Sequence, residues 1–288
     1  MTNKTLVGKD NYLFLINDSS DSLNMHINNI KVCSESSFHK YMNYIKKQNI
    51  LMIVFPDKEL VCKDFLPDNN IMYRPNFNEY KRVFGNMLID GLDILDYTDY
   101  YITDTHINNK GSLLMYKKIV KYLNNVFNTN IPLENYNTIN NFVVSLSSLN
   151  KGIGDLTWDM NKGNIVLTDI SDIYYNFLEL ENFYFNIYNR NNNYSILDYN
   201  LKDISDSYIG RLVDWTCLSS NIFYKKNSNF FINKRVIMFY DSFMAHSLQL
   251  YIKLFKEIYL IKNIFDETMI NKIDPDFIIE ERVERFLF

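Results

Sequence analysis

The sequence predicts an α/β fold, a parallel sheet wound on both faces by helices. Two observations carry that expectation. Short continuous apolar runs without strict alternation suit strands covered on both sides. Segments with apolar residues at helical spacing lie between those runs at both ends of the 288-residue chain. Apolar residues form 47% of the chain and aromatic residues 16%, enough for a sizeable core and too many for a disordered chain.

The first strand is read over 50–55, an unbroken apolar run ending at Pro56. Leu92-Asp93-Ile94-Leu95, ending at Asp96, reads as another, and three more follow near the C-terminus at 235–240, 258–261 and 277–279. Helices are expected over 37–48, with Phe38, Tyr41, Met42 and Ile45 on one stripe, and over 77–88. A third spans 111–127, carrying Leu114, Ile119, Val120, Leu123 and Phe127. A fourth spans 242–257, carrying Leu248, Tyr251, Ile252 and Phe255. The Asn- and Tyr-rich middle, 130–234, breaks this rhythm, with strands expected at 142–144 and 164–167 and an exposed loop at 189–193. It reads as an insertion or lid on a single domain spanning 1–288, and no internal repeat is present.

Composition excludes several function classes. A net charge of −4 gives no basic excess for nucleic-acid binding by phosphate neutralisation. Cys33, Cys62 and Cys217 are odd in number and scattered, so neither a disulfide framework nor a cysteine zinc site is expected, and a reducing compartment fits. Met1 to Asp10 holds no apolar leader core, and no apolar run approaches the ~18 residues of a membrane span. The expectation is a cytoplasmic, soluble protein. The abundance of Asn, Ile, Tyr and Lys reflects A/T-rich coding more than function.

Four histidines make the search for a general base short. His26 and His39 lack acidic neighbours at useful spacing and read as filler, and His246 reads as lining a helix. His106 lies in Thr103-Asp104-Thr105-His106, after a predicted strand and before a helix. Ser242 directly follows the 235–240 strand, which places a hydroxyl at the carboxyl end of a sheet, where open α/β folds build their sites. The start of the helix read there would aim free N–H groups at a developing oxyanion. Serine alone at such a position is a cap. Ser242, His106 and Asp104 together supply a nucleophile, a base and an orienter.

These blocks resemble the SGNH hydrolase superfamily, and within it the AlgX/AlgJ-type polysaccharide O-acetyltransferases. The resemblance runs end to end in separated pieces. Gly8-Lys9-Asp10-Asn11-Tyr12-Leu13-Phe14-Leu15 is similar to that family's opening motif, and Phe55-Pro56-Asp57-Lys58 with Phe65-Leu66-Pro67 to its next. Thr103 to Asn108 with Gly111, Gly154-Asp155-Leu156, Asp241-Ser242-Phe243 and Pro275 to Arg285 follow in the family's order. The resemblance implies a three-layer, flavodoxin-like SGNH sheet, circularly permuted, with its strands in the order 235–240, 258–261, 276–280, 50–55 and 92–95. It implies an acetyl group carried on Ser242 to a carbohydrate hydroxyl, without cofactor or metal. An acetyl donor such as acetyl-CoA is required, together with a donor or glycan-assembly protein partner. Lys58, Tyr101 and Arg285 are the expected substrate-binding residues, and Asp155 pins a turn. A carbohydrate esterase with the same triad, and a non-catalytic glycan-binding module, are the alternatives. Departures from the family pattern are Tyr240 in place of the glycine before Asp-Ser, Ile107 and Tyr12 in place of tryptophans, and the lack of a Gly-x-Asn-Asp block after the 276–280 strand.

Overall fold

The computed structural model describes residues 4–68, 72–133, 155–157, 222–252 and 254–288. The chain opens with a small antiparallel hairpin, β1 (Thr5–Val7) and β2 (Leu13–Leu15). Gly8 is required at its base, because a Cβ there would lie 2.2 Å from the Phe65 carbonyl oxygen. After α1 (Ser22–Ile27) and α2 (Met42–Lys46) come β3 (Ile50–Phe55), α3 (Lys58–Val61), α4 (Pro75–Phe84), β4 (Leu88–Asp90) and α5 (Asn109–Phe127). The C-terminal part holds β5 (Ile222–Lys226), β6 (Ile232–Phe239), α6 (Leu248–Tyr251), β7 (Phe255–Ile261), α7 (Glu267–Ile273) and β8 (Phe277–Val283).

Six strands form one sheet in the order β4-β3-β8-β6-β7-β5, parallel throughout except for β5, which runs antiparallel along β7. Counted from β6, the parallel strands fall in the order 2-1-3-4-5, the flavodoxin-like arrangement. The fold is therefore the permuted SGNH-like sheet that the sequence implies.

Successive strand residues point to opposite faces, and here both faces are covered. On one face, Leu51, Ile53, Met238 and Ile279 pack against Tyr116, Ile119 and Leu123 of α5 and against Leu248 and Tyr251. On the other, Met52, Val54, Ile237 and Ile278 pack against Tyr41, Phe77, Phe84 and Ile273. Helix ends follow their caps. Asn108 Oδ1 accepts from the Gly111 N–H at the start of α5, and Asp266 Oδ1 accepts from the Thr268 and Met269 N–H groups at the start of α7. Asn128 and Asp274 close those helices in left-handed conformations.

Four elements differ from the sequence expectation. The strand read at 92–95 is a 3-10 turn, and the strand itself sits earlier, at β4. Gly91 passes so close to β3 that a Cβ would meet Pro56 Cδ at 2.6 Å, while Asp90 Oδ1 accepts from the Leu92 N–H and curls the chain out of the ladder. The helix read at 37–48 begins as a 3-10 segment, Glu35–Tyr41, whose buried residues Phe38 and Tyr41 lie at the 3-10 spacing of three. The long helix read at 242–257 is replaced by a turn, a 3-10 segment Ala245–Ser247 that includes His246, and the single turn of α6. Leu248, Leu250, Tyr251, Ile252 and Leu254 are all buried there, so the segment is wrapped by core instead of resting on it by one stripe. Ile222–Lys226, within the span read as an insertion, is an edge strand of the main sheet. The strands expected at 142–144 and 164–167 and the loop at 189–193 lie outside the described residues. No helix among the described residues is long and apolar enough to cross a membrane.

Candidate active site

The carboxyl ends of the parallel strands gather the residues of interest. β6 ends at Phe239, and the chain turns sharply through Asp241 and Ser242. Asp241 builds this turn, its Oδ1 accepting from the Phe243 N–H at 2.8 Å and its Oδ2 from the Val283 N–H, at the end of β8, at 2.7 Å. The facing loop, between residue 99 and α5, is tied by a bridge between Tyr100 and Ile107 and carries Asp104 and His106.

Across that gap a continuous hydrogen-bonded relay forms. Ser242 Oγ lies 2.9 Å from His106 Nε2, and His106 Nδ1 lies 2.6 Å from Asp104 Oδ1. Because a carboxylate only accepts, Nδ1 carries the proton and Nε2 is left to accept from the serine hydroxyl. His106 is nearly buried, whereas Asp104 and Ser242 are partly open. Phe243 packs against the imidazole with ring centroids 4.9 Å apart.

Asp104 is held from several sides. Its Oδ1 also accepts from the His106 N–H, and its Oδ2 accepts from the Asp155 N–H, both at 3.0 Å. Burial pushes the Asp104 carboxyl up, but the hydrogen bond and charge of His106 and these backbone N–H groups reverse that and hold it well below the usual carboxylate range. Asp155 in turn accepts from the Thr105 N–H at 2.9 Å and the Thr105 hydroxyl at 2.7 Å. Burial and the neighbouring Asp104 charge push the Asp155 carboxyl up. Asp155 is thus part of the relay's support and more than a turn residue; the Gly-Asp-Leu block was the sequence signal for it.

The three expected substrate residues sit differently. Lys58 is not a surface lysine. It is buried, and its ammonium donates to the Leu13 and Ile102 carbonyls at 2.8 Å and to the Asp104 carbonyl at 3.0 Å, clamping the hairpin to the relay loop. Tyr101 is half-buried and donates its N–H to the His106 carbonyl at 3.2 Å. Arg285 is nearly buried, donates to Asp57 Oδ1 at 2.5 Å, and lies over the ring of Phe243.

A second histidine–aspartate pair escaped the sequence reading. His26 is fully buried, its Nδ1 2.8 Å from the Tyr73 carbonyl and its Nε2 3.2 Å from Asp57 Oδ2. Both partners only accept, so both ring nitrogens are protonated. Burial disfavours that cation, but Asp57, Glu59 and Glu284 outweigh it and raise its pKa to about 9. The sequence separation of 31 residues between His26 and Asp57 hid the pair. His39 is exposed.

No family model and no curated protein sequence matches the chain. Solved structures do. PatB1 of Bacillus cereus overlays with a TM-score of 0.56 at 14% identity, covering 98% of this chain and 96% of that one. Its form with a sulfonyl adduct overlays equally well at 16% identity, covering 99% and 97%. A DHHW family protein from Eubacterium siraeum gives 0.52 at 14% identity, covering 100% and 93%. The likeness is one of fold, and it extends over the whole length of the chains.

Proposed function

We propose that this protein is a serine-dependent O-acetyltransferase that moves an acetyl group to a carbohydrate hydroxyl. One observation carries the reading: the unbroken Asp104–His106–Ser242 relay at the carboxyl edge of the sheet. His106 Nε2 takes the Ser242 proton as Oγ attacks the carbonyl carbon of the acetyl donor, and the donor's leaving group departs with that proton. The acceptor hydroxyl then gives its proton to Nε2, attacks the acetyl-serine and carries the acetyl away, restoring the free serine. Base catalysis of this kind supplies about 10²- to 10⁴-fold. The flanking Asp241 and Phe243 N–H groups are committed to Glu281 and Asp241. The Ser242 N–H is therefore the donor assigned to the oxyanion, in place of a helix N-terminus.

A soluble acetyl donor such as acetyl-CoA and a cytoplasmic setting complete the reading, with the whole chain acting as one domain. Asp155 and Lys58 position the relay loop and are not assigned to substrate. The experiment is product analysis with an activated aryl acetate, with and without oligosaccharide acceptors. Acetylated sugar formed by the wild type and lost in Ser242→Ala is the expected result. Free acetate alone, unaltered by any acceptor, would assign an esterase instead, and turnover unchanged in Ser242→Ala would remove the enzyme reading.

A further inference from the structure

Beneath the serine turn lies a cluster of polar groups that the relay does not use. Glu281, on β8, is wholly buried on the face of the sheet that carries Tyr240. Its Oε2 accepts from the Asp241 N–H at 2.8 Å, the peptide group immediately before the nucleophile. Its other oxygen, Oε1, is buried without a hydrogen-bond partner among the described residues, as are the hydroxyls of Tyr240 and Tyr251. Tyr240 and Tyr251 belong to one core cluster with Ile279 and Val283, which flank Glu281 on its face of β8, so these groups share one region of the core. Orphaned buried polar atoms are costly and rare, and they are retained where a site uses them. Tyr240 is also the residue that stands where the resembling proteins have glycine.

The carboxyl pair decides which group carries the charge. Asp241 accepts two backbone N–H bonds, which suit an ionised carboxylate. The nearest cation in sequence, Arg282, lies on the opposite face, paired with Glu280 and bonded to the Asn263 carbonyl. Burial and the Asp241 charge together push the Glu281 carboxyl well above its ordinary range.

We propose that Glu281 is a positioning residue for Ser242. It is held as a neutral carboxylic acid and fixes the Asp241–Ser242 turn by accepting from the Asp241 N–H. It touches neither substrate nor the reacting atoms; it acts through the turn. The inference rests on the nucleophile reading of Ser242 proposed above.

The test is the rate at which phenylmethylsulfonyl fluoride labels Ser242 in the full-length protein, followed by peptide mass mapping, together with infrared spectra of the folded variants. Glu281→Gln keeps the acceptor and the neutrality, so its labelling should stay within about twofold of the wild type. Glu281→Leu removes the acceptor and should slow labelling by at least about tenfold. The carbonyl stretch of a buried protonated carboxylic acid should be present in the wild type and absent in Glu281→Gln. Equal labelling in Glu281→Leu, slow labelling in Glu281→Gln, or no acid band would each overturn the proposal while leaving the serine reading intact. A wild type that is not labelled at Ser242 would overturn both. Should Glu281→Leu fail to fold, the Glu281→Gln rate and the acid band decide the matter alone.

Discussion

The molecule contains two histidine–aspartate pairs, and they differ in what stands at the far side of the imidazole. His106 donates its Nδ1–H to Asp104 and keeps Nε2 as an acceptor facing the Ser242 hydroxyl. His26 faces an acceptor at each nitrogen, the Tyr73 carbonyl and Asp57, and so holds a fixed positive charge. A histidine with a hydroxyl opposite can take a proton; one wedged between two acceptors cannot. The surroundings follow the same division. Asp104 is partly open and bonded to backbone N–H groups, whereas Asp57 is sealed and also takes the Arg285 guanidinium. In the proposed function the first pair serves proton transfer, while the second joins α1, α3 and the chain end after β8.

Substitutions can break this contrast, from the largest expected effect downward. Ser242→Ala or His106→Ala should lower acetyl turnover by at least about a thousandfold with the melting temperature nearly unchanged. Asp104→Asn removes the group that fixes the imidazole tautomer and should cost about 10³-fold in kcat, read in the same assay. Asp57→Asn should do the opposite. It leaves the His26 and Arg285 cations undercompensated in the core, a loss of about 3–5 kcal/mol in denaturant unfolding, with the kcat of the remaining folded protein close to wild type. A collapse of turnover in folded Asp57→Asn would erase the distinction between the pairs.

The pH dependence of stability sharpens it. His26 has a folded pKa of about 9, above its unfolded value near 6.5, so its contribution is complete below about pH 6.5 and is lost as pH rises through 9. The shift corresponds to about 3 kcal/mol. Melting temperature should therefore fall between pH 6.5 and 9.5 in the wild type. In His26→Gln it should start lower and change less over the same window. A smaller effect is expected for Asp155→Ala, which removes the acceptor for Thr105 and should cost about tenfold in turnover, an amount typical of one lost charged hydrogen bond.

Much of the architecture was legible in the sequence because a doubly covered sheet writes itself as uninterrupted apolar runs: β3, β6, β7 and β8 all fall on such runs. Where the expectation shifted, side chains acting across the fold were responsible. Nothing local in Leu92-Asp93-Ile94-Leu95 reveals that Gly91 must slide past Pro56, or that Asp90 will cap the turn. Residues 242–257 carry a helical stripe, but burial on every side leaves room for only one turn of helix before β7 begins. In the candidate site, Asp104, His106 and Ser242 were found because two of them lie two residues apart and the third follows a strand. Lys58 read as a substrate-binding residue, and its clamp on the relay loop went unseen, because three backbone carbonyls leave no mark on a sequence. His26 and Glu281 were missed for the same reason: their partners are distant in the chain, and their protonation is set by buried neighbours that folding brings together.

The most direct measurement is rapid-quench mass spectrometry of the protein mixed with an activated acetyl ester. The account predicts one acetyl group per chain, mapped to Ser242, formed before steady state in the wild type and in Glu281→Gln and lost in Ser242→Ala and His106→Ala. An acetyl group found on another residue, or turnover that persists in Ser242→Ala, would contradict it.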